Sequence, residues 1–585
     1  MKHFKSFLTL VRSHPGWYSA STLLWILFGL SPLLPGLLTQ MVFDRLSNNA
    51  PAGFHLWGIL ALLAGVLLAR LCVNFASVAV DTTFQQSSSA QIRKNLLRQI
   101  FRRPGSQALT EPVGEIINRF RDDVTEITGF LTAPAYVIGL LLFSIAAFWI
   151  LARINLRLTL TVFLPLVGII SLYYVVSARI QKYREASRTA TGALMSFLDE
   201  VFNAVQAIQV ANAEKPILNQ FAKLSDARRR TAIRDRLLGE ATTAMMLNAI
   251  SLGTGLILLL AAREMRLGMF RVGDFALFQY YLGWILSLHY WFGWLFTRYK
   301  QAVVSLQRLE QLLPETDPQT LTAKDPKGVT SIEPVVSVET HILKTPLRLL
   351  EVHHLTCQYP SSGRGIVGVD LTVYPGSFTV ITGRVGSGKT TLLRALIGLL
   401  PCQSGTVFWN GMEVRDLAGF FVPPQSAYVP QQPRLFSGTL QENLLLGLPE
   451  DSVDLPGSIY QAAFETDLGQ MPEGLETYIG PRGIRFSGGQ IQRAAIARSL
   501  VRQPELLVID DPSSALDVAT EKILWQRILN QRKTTCIAVS HHREALEKAN
   551  QILVLKEGSV LACGTLKALL TSCPEMQLLW QENIR

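Results

Sequence analysis

Between residues 17 and 297 the chain alternates long apolar stretches with polar connections that keep a helical pattern. Charge-free runs extend from Trp17 to Phe43, Ile127 to Ala152, Leu158 to Ala178, Ala241 to Ala262 and Phe275 to Thr297. Each supplies the roughly 20 residues that a helix needs to cross about 30 Å of hydrocarbon. A sixth run, Leu56 to Val80, is interrupted only by Arg70, and its helical pattern continues through Arg93, Lys94, Leu97 and Phe101. The pattern predicts a six-helix membrane bundle whose helices extend beyond the bilayer as rods. From Arg348 onward, short strand-like runs alternate with helix-like ones, which predicts an α/β domain. Between the two, residues 311–347 place Pro314, Pro318, Pro326, Pro334 and Pro346 among polar residues, the composition of an extended linker. The expected organisation is an amphipathic N-terminal helix at 1–16, a membrane domain at 17–310, the linker at 311–347 and the α/β domain at 348–585.

Composition agrees with a bilayer-embedded protein. Of 585 residues, 49% are hydrophobic and 17% charged, with a mean hydropathy of +0.25, too apolar for a soluble protein of this size. The net charge of +11 fits basic cytoplasmic loops better than a nucleic-acid partner. Two long connections carry the excess: Arg93, Lys94, Arg98, Arg102, Arg103, Arg119 and Arg121 in the first, and Arg179 through Arg236 in the second. Short links alternate with them, so the long ones are assigned to the cytoplasm. Lys2, Lys5 and Arg12 around Phe4, Phe7, Leu8 and Leu10 suit a helix lying on the inner membrane surface. The segment lacks a cleavage site of small residues, so no cleaved signal peptide is expected. The six cysteines (72, 357, 402, 536, 563 and 573) show no metal-binding spacing and read as reduced thiols.

Chemistry enters with Gly383-Arg384-Val385-Gly386-Ser387-Gly388-Lys389-Thr390-Thr391, set between the apolar run Phe378 to Ile381 and a helix-like segment, Leu392 to Leu400. Strand, glycine-rich loop and helix start form a phosphate cradle. Backbone N–H groups and the helix N-terminus face the anion, Lys389 adds charge, and the Thr390 hydroxyl is placed to hold Mg²⁺. Leu506 to Asp511 reads as a buried strand ending in two carboxylates, Asp510 and Asp511. ATP and Mg²⁺ are the expected ligands.

Six spans with long helical loops, followed by such a nucleotide domain, resemble a half-transporter of the ATP-binding cassette (ABC) exporter family, type IV fold. Gly114 to Asp123 and Ala211 to Lys215 resemble that family's two coupling segments. Phe486-Ser487-Gly488-Gly489-Gln490 resembles the signature motif, and Tyr428 to Phe436 resembles the Q-loop. The resemblance implies adenine stacking on Tyr359, Mg²⁺ held by Thr390, Gln431 and Asp510, and a γ-phosphate contact from His541. Asp511 stands where the family usually carries glutamate, so hydrolysis at this half-site is expected to be slow. Asp517, in Ser514-Ala515-Leu516-Asp517, matches the D-loop that crosses between subunits. Ser487, Gly488, Gly489 and Gln490 are implied to close on a partner's ATP, which requires a second half-transporter, identical or homologous. Pro481 replaces a glutamate that many exporters use against the coupling helices.

The implied activity is ATP-driven export or flipping of an unidentified substrate, in a bacterial inner (plasma) membrane with the nucleotide domain in the cytoplasm. Two alternatives stand beside it: a catalytically weak partner in a heterodimeric exporter, and an ATP-gated channel or regulator that binds ATP without pumping. Within the bundle, Arg70 reads either as a cavity residue attracting an anionic or zwitterionic substrate or as a side chain near an interface. Tyr280, Trp284, Ser287, Trp291, Trp294 and Arg298 fall on one helical face. That stripe reads as a substrate cavity or as packing and interfacial aromatics.

Overall fold

The structure is a computed structural model describing the chain except residues 1, 48–53, 104, 106–112, 267–269, 314–317, 324–344, 360–361, 481–485, 513–515, 531–533 and 583–585. Pro481, Ser514, Ala515 and three linker prolines (314, 326 and 334) lie outside the described residues. The chain divides into two compact units, one of residues 1–97 and 111–330, the other of 98–110 and 331–585.

The first unit is helical: α1 (Lys2–Ser13), α2 (Pro15–Leu30), α3 (Leu33–Ser47), α4 (Phe54–Phe101), α5 (Val113–Asn118), α6 (Val124–Ile154), α7 (Leu156–Asn203), α8 (Val205–Val210), α9 (Glu214–Arg266), α10 (Val272–Leu312) and α11 (Pro318–Thr322). Each expected span falls on these helices, the first divided between α2 and α3. Pro32 causes that break, since it lacks an amide donor and restricts Ser31 before it. By length and composition, the described residues contain three membrane-crossing segments: Pro15–Ser47, Leu56–Phe101 and Val113–Ile154. The three later apolar runs lie within α7, α9 and α10.

Close backbone approach holds parts of the bundle. A Cβ on Gly29 would lie 2.7 Å from the Gly139 backbone, and one on Gly139 would lie 2.7 Å from the Ile26 carbonyl oxygen. Hence α2 and α6 meet through glycine, as membrane helices do when dispersion rather than the hydrophobic effect drives association. Gly36 takes the Tyr281 ring, whose hydroxyl donates to the Leu33 carbonyl at 2.8 Å. The bundle core gathers Leu140, Phe143, Ala147, Ile257, Phe278 and Tyr281.

Within the stretch expected as a coupling segment, a π-helical turn, Arg119–Asp123, joins α5 to α6. Its Asp123 accepts from the Ser305 hydroxyl at 2.7 Å, and Arg119 donates to the Arg308 carbonyl, so the turn is tied to α10. Part of the expected linker is helical: α11 packs beside α1, and Asn95 and Gln91 of α4 donate to the carbonyls of residues 321–323.

The second unit carries strands β1 (Leu350–Gln358), β2 (Gly365–Val373), β3 (Phe378–Thr382), β4 (Ser404–Trp409), β5 (Met412–Glu413), β6 (Ser426–Val429), β7 (Gly438–Thr439), β8 (Tyr478–Ile479), β9 (Leu506–Asp510), β10 (Thr535–Val539), β11 (Gln551–Lys556) and β12 (Ser559–Gly564). The main sheet runs β12-β11-β3-β10-β9-β6, with β11, β3, β10, β9 and β6 mutually parallel. Strands β3, β9 and β10 are buried at every position, which explains their continuous apolar runs. The other sheet, β2-β1-β4-β5, is antiparallel.

One sequence expectation is corrected here. Cys357 and Cys402 form a disulfide, with their Cα atoms 4.2 Å apart across 45 residues, rather than standing as reduced thiols. Pairing of Thr356 with Ser404 across β1 and β4 brings them together, a long-range register that cysteine spacing does not reveal.

Candidate functional site

Parallel pairing aligns the carboxyl ends of β3, β10, β9 and β6 along one edge of the sheet, where ligands bind in open α/β folds. The phosphate loop follows β3, His541 follows β10, Asp511 follows β9 and Gln431 follows β6. Four segments between residues 383 and 541 thereby line one cavity of about 320 Å³. Its walls include Tyr359, Val385, Gly386, Gly388, Lys389, Thr390, Thr391, Gln431, Asp510, Asp511 and His541.

Glycine is required in two places. Gly388 caps the helix α12 (Lys389–Leu396) with φ +102°, and a Cβ there would sit 3.1 Å from Ile366. Gly383 has φ +146° and would press a Cβ to 2.3 Å from the Leu555 carbonyl oxygen. The loop is held by Ser387, whose N–H donates to the Arg384 carbonyl at 3.1 Å, while Arg384 itself pairs with Glu575 at 2.5 Å. Lys389 turns its ammonium onto the Gly383 and Arg384 carbonyls, at 2.6 and 2.9 Å. Burial lowers its pKa, against the raising influence of Asp511 and Asp510. An under-solvated cation over exposed loop amides is prepared for an anion.

The Thr390 hydroxyl donates to Asp510 at 3.0 Å, and the Tyr428 hydroxyl approaches the other Asp510 oxygen at 3.4 Å. Burial raises the pKa of Asp510 and pushes the Tyr428 phenol up to about 12. Hydroxyl, carboxylate and the nearby Gln431 amide are hard oxygen donors, and a buried carboxylate gains most from a cation, so these residues fit Mg²⁺. Asp511 receives the Gln431 amide at 3.3 Å and donates its own N–H to the Val539 carbonyl at 3.1 Å. Its φ of +44° is a left-handed backbone that aspartate tolerates better than most residues. The carboxylate is thus fixed at both backbone and side chain.

Of the two adjacent histidines, His541 lines the cavity, whereas His542 bonds the buried Glu521 at 2.7 Å. Burial, then His542, lowers the pKa of His541; the bond from Glu521 raises that of His542. His541 is therefore neutral at physiological pH and able to present a ring N–H to phosphate.

The signature residues lie elsewhere. Ser487 caps the helix Gly488–Leu500, its hydroxyl accepting from the Gln490 amide at 3.3 Å while the Gln490 side chain accepts from the Ser487 amide at 3.0 Å. That capping box orients the helix start, and Ser487 and Gly488 are exposed. Arg493 clamps the base of the motif with a 2.7 Å ion pair to Asp467. Asp517 caps the helix Val518–Asn530 through Thr520 at 2.9 Å. Sequence reasoning missed several residues. Arg364 lines the cavity, Tyr428 touches Asp510, and Arg394 lies beside both Tyr359 and Tyr428. No periodicity or spacing signals them, because each acts through a contact made only in the folded sheet.

In the membrane unit, a cavity of about 420 Å³ is lined by Trp25, Phe28, Asp81, Tyr136, Trp291 and Arg298 among others. The aromatic stripe of α10 is divided: Trp294 and Arg298 face this cavity, Tyr280 and Trp284 pack against the bundle core, and Trp291 does both. Arg70 lies over the Trp284 ring at 4.5 Å and the Phe28 ring at 5.2 Å.

Comparison with known proteins bears on both units. The family model "ABC transporter transmembrane region" matches residues 20–288, and the model "ABC transporter" matches 366–514. A probable multidrug resistance ABC transporter ATP-binding/permease protein of Bacillus subtilis is 32% identical over 422 residues, 70% of this chain and 67% of the relative. An ATP-dependent lipid A-core flippase of Xylella fastidiosa is 26% identical over 515 residues, 86% of this chain and 83% of the relative. A solved bacterial Atm1-family ABC exporter with ATP bound shares the fold, with a TM-score of 0.78 at 19% identity over 97% of this chain and 99% of that one. Since such relatives align across both the membrane helices and the ATP site, the chain belongs to the ABC transporter family, as a multi-pass exporter whose membrane domain and ATPase are one polypeptide.

Proposed function

We propose that this chain is one half of a two-subunit exporter or flippase, in which ATP hydrolysis at a slow half-site drives alternating access. The observation that carries the reading is the division of the machinery: Lys389, Thr390, Gln431, Asp511 and His541 surround one cavity, while Ser487 and Gly488 stand exposed outside it. A second chain's signature closes each site over the γ-phosphate.

The adenine stacks on Tyr359, and the phosphates lie against the amides of residues 383–391 and Lys389. Thr390, Asp510 and Gln431 would hold Mg²⁺, which when bound would offset the phosphate charge. Asp511 orients the attacking water and takes its proton, and His541 contacts the γ-phosphate. Asp511 is one methylene shorter than glutamate, so its carboxylate stands back from the water. Two assemblies are consistent with it: a slow homodimer, or a heterodimer in which this chain's signature serves a faster partner's site.

The coupling segments around residues 114–123 and 211–215 transmit closure to the helices. The host membrane is a bacterial plasma membrane with the ATPase in the cytoplasm. Reconstitution into vesicles tests this: flux that requires ATP and fails with a nonhydrolysable analogue is expected, and flux supported equally by the analogue would mean a ligand-gated channel.

A further inference from the structure

Asp467, on the short helix Glu465–Gln470, meets the signature helix Gly488–Leu500 through two side chains. Its carboxylate takes the Arg493 guanidinium as a fork, the Nε and one terminal nitrogen each donating at 2.8 Å. The same carboxylate accepts from the Gln490 side-chain amide at 3.3 Å. Gln490 and Arg493 stand three residues apart and so share a helix face. Asp467 thereby holds the start of the signature helix at two points.

That support reaches the groups offered to a partner. The Gln490 side chain works in two directions: its nitrogen donates to Asp467, while its oxygen accepts from the Ser487 backbone N–H at 3.0 Å. The Ser487 hydroxyl in turn accepts from the Gln490 backbone N–H at 3.3 Å. The first amides of a helix have no intrahelical acceptor. With that of Gln490 taken by Ser487, those of Gly488 and Gly489 are the ones left to face an anion. A carboxylate gripping Gln490 and Arg493 therefore sets the direction in which Ser487 and two glycine amides point. The Arg493 and Asp467 side chains are only 12% and 14% exposed, so solvent screens the pair little and its fork geometry is kept.

The supporting helix is itself anchored. Phe464, just before it, is fully buried, and Leu468 packs on the core that also takes Ala494 and Ala495 of the signature helix. Glu465 pairs at 2.7 Å with Arg527, on the helix Val518–Asn530 that follows Asp517. Arg527 also donates to the Tyr460 carbonyl at 2.6 Å, and its guanidinium lies 3.9 Å from the Tyr460 ring centre. Asp467 is thus carried by a fixed body rather than by a loop. We propose that Asp467 is a positioning residue of the signature: it aims Ser487 and the Gly488 and Gly489 amides at the γ-phosphate held by the other chain, and acts on that site rather than on its own chain's. The inference rests on the two-chain reading and names a residue on which the closing half depends.

The test is steady-state ATP hydrolysis by full-length mixed dimers, isolated through two different tags and reconstituted in vesicles. One chain carries Lys389→Ala, which leaves a single competent site: the unmarked chain's phosphate loop with the marked chain's signature. Asp467→Asn is then placed on either chain. On the marked chain it should lower turnover about tenfold or more, and on the unmarked chain it should leave turnover within about twofold of the Lys389→Ala dimer. A damaged fold behaves otherwise, since on the unmarked chain it would also disable the one working phosphate loop. Equal loss in both placements, or no loss in either, overturns the assignment. Where the Asp467→Asn chain fails to enter the dimer, Asp467→Glu, which keeps the charge and displaces the carboxylate, is read in the same way: dependence on placement supports the assignment and independence overturns it. Ser487→Ala in the same two placements is the control. If Ser487→Ala depends on placement and the Asp467 variants do not, the positioning role alone is refuted; if Ser487→Ala does not depend on placement, the two-chain reading fails and the role with it.

Discussion

Lengthening Asp511 to glutamate isolates the chemical step. The residue's backbone is pinned by its N–H bond to Val539 at 3.1 Å, and its side chain receives Gln431 at 3.3 Å, so an added methylene moves the carboxylate rather than the strand. The movement is about 1.5 Å, one carbon–carbon bond, toward the phosphate side of the cavity. A misplacement near 1 Å costs on the order of a hundredfold in rate, or about 2.7 kcal/mol at 1.36 kcal/mol per factor of ten. Asp511→Glu should therefore raise kcat by tens of times up to about a hundredfold, with KM for ATP nearly unchanged because the group acts in the transition state. Asp511→Asn should lower kcat by about a hundredfold or more through loss of the base. The assay is steady-state phosphate release from the reconstituted protein. The left-handed backbone at φ +44° disfavours glutamate by about 1–2 kcal/mol, so melting is recorded in parallel. A folded Asp511→Glu protein no faster than wild type would refute the argument from length, and an Asp511→Asn protein as active as wild type would refute the catalytic role.

Two further outcomes follow from the packing. Glu521→Gln should destabilise the ATPase domain by about 1.5–3 kcal/mol, the worth of a hydrogen bond to a charged group, because it breaks the 2.7 Å pair with His542. The folded pKa of His542 is raised, so the pair's contribution is complete below the unfolded value near 6.5 and fades as pH rises through the folded value; thermal melting should show a larger deficit at pH 6 than at pH 9, and an equal deficit would contradict the charge assignment. Gly139→Ala should cost about 1–3 kcal/mol, since its Cβ would meet the Ile26 carbonyl oxygen at 2.7 Å, whereas Gly283→Ala, with nothing within 4 Å, should melt like wild type.

Much of this architecture was legible because the bilayer and the phosphate cradle impose strict patterns. Apolar runs of span length reported helices that tertiary context cannot override, and continuous burial of β3, β9 and β10 left its trace as unbroken apolar segments. The spacing of His541 from its strand separated it from His542, whose bond to Glu521 depends on a helix elsewhere in the chain. What stayed hidden depends on contacts between elements. The Cys357–Cys402 bridge follows from strand register, and Tyr428 reaches Asp510 only through pairing of β6 with β9. The aromatic stripe was visible as a helix face, but its division between core and cavity required the neighbouring helices.

The central claim is that each ATP site is completed by another chain's signature. Mixing two individually inactive proteins tests it most directly. Lys389→Ala removes the phosphate-binding cation of its own chain, and Ser487→Ala disables the signature that its chain offers to a partner. In a mixed dimer, one composite site carries both defects and the other carries neither. ATPase activity should reappear when the two variants are co-reconstituted, rising with the fraction of mixed dimers. A mixture as inactive as either parent would contradict the two-chain site.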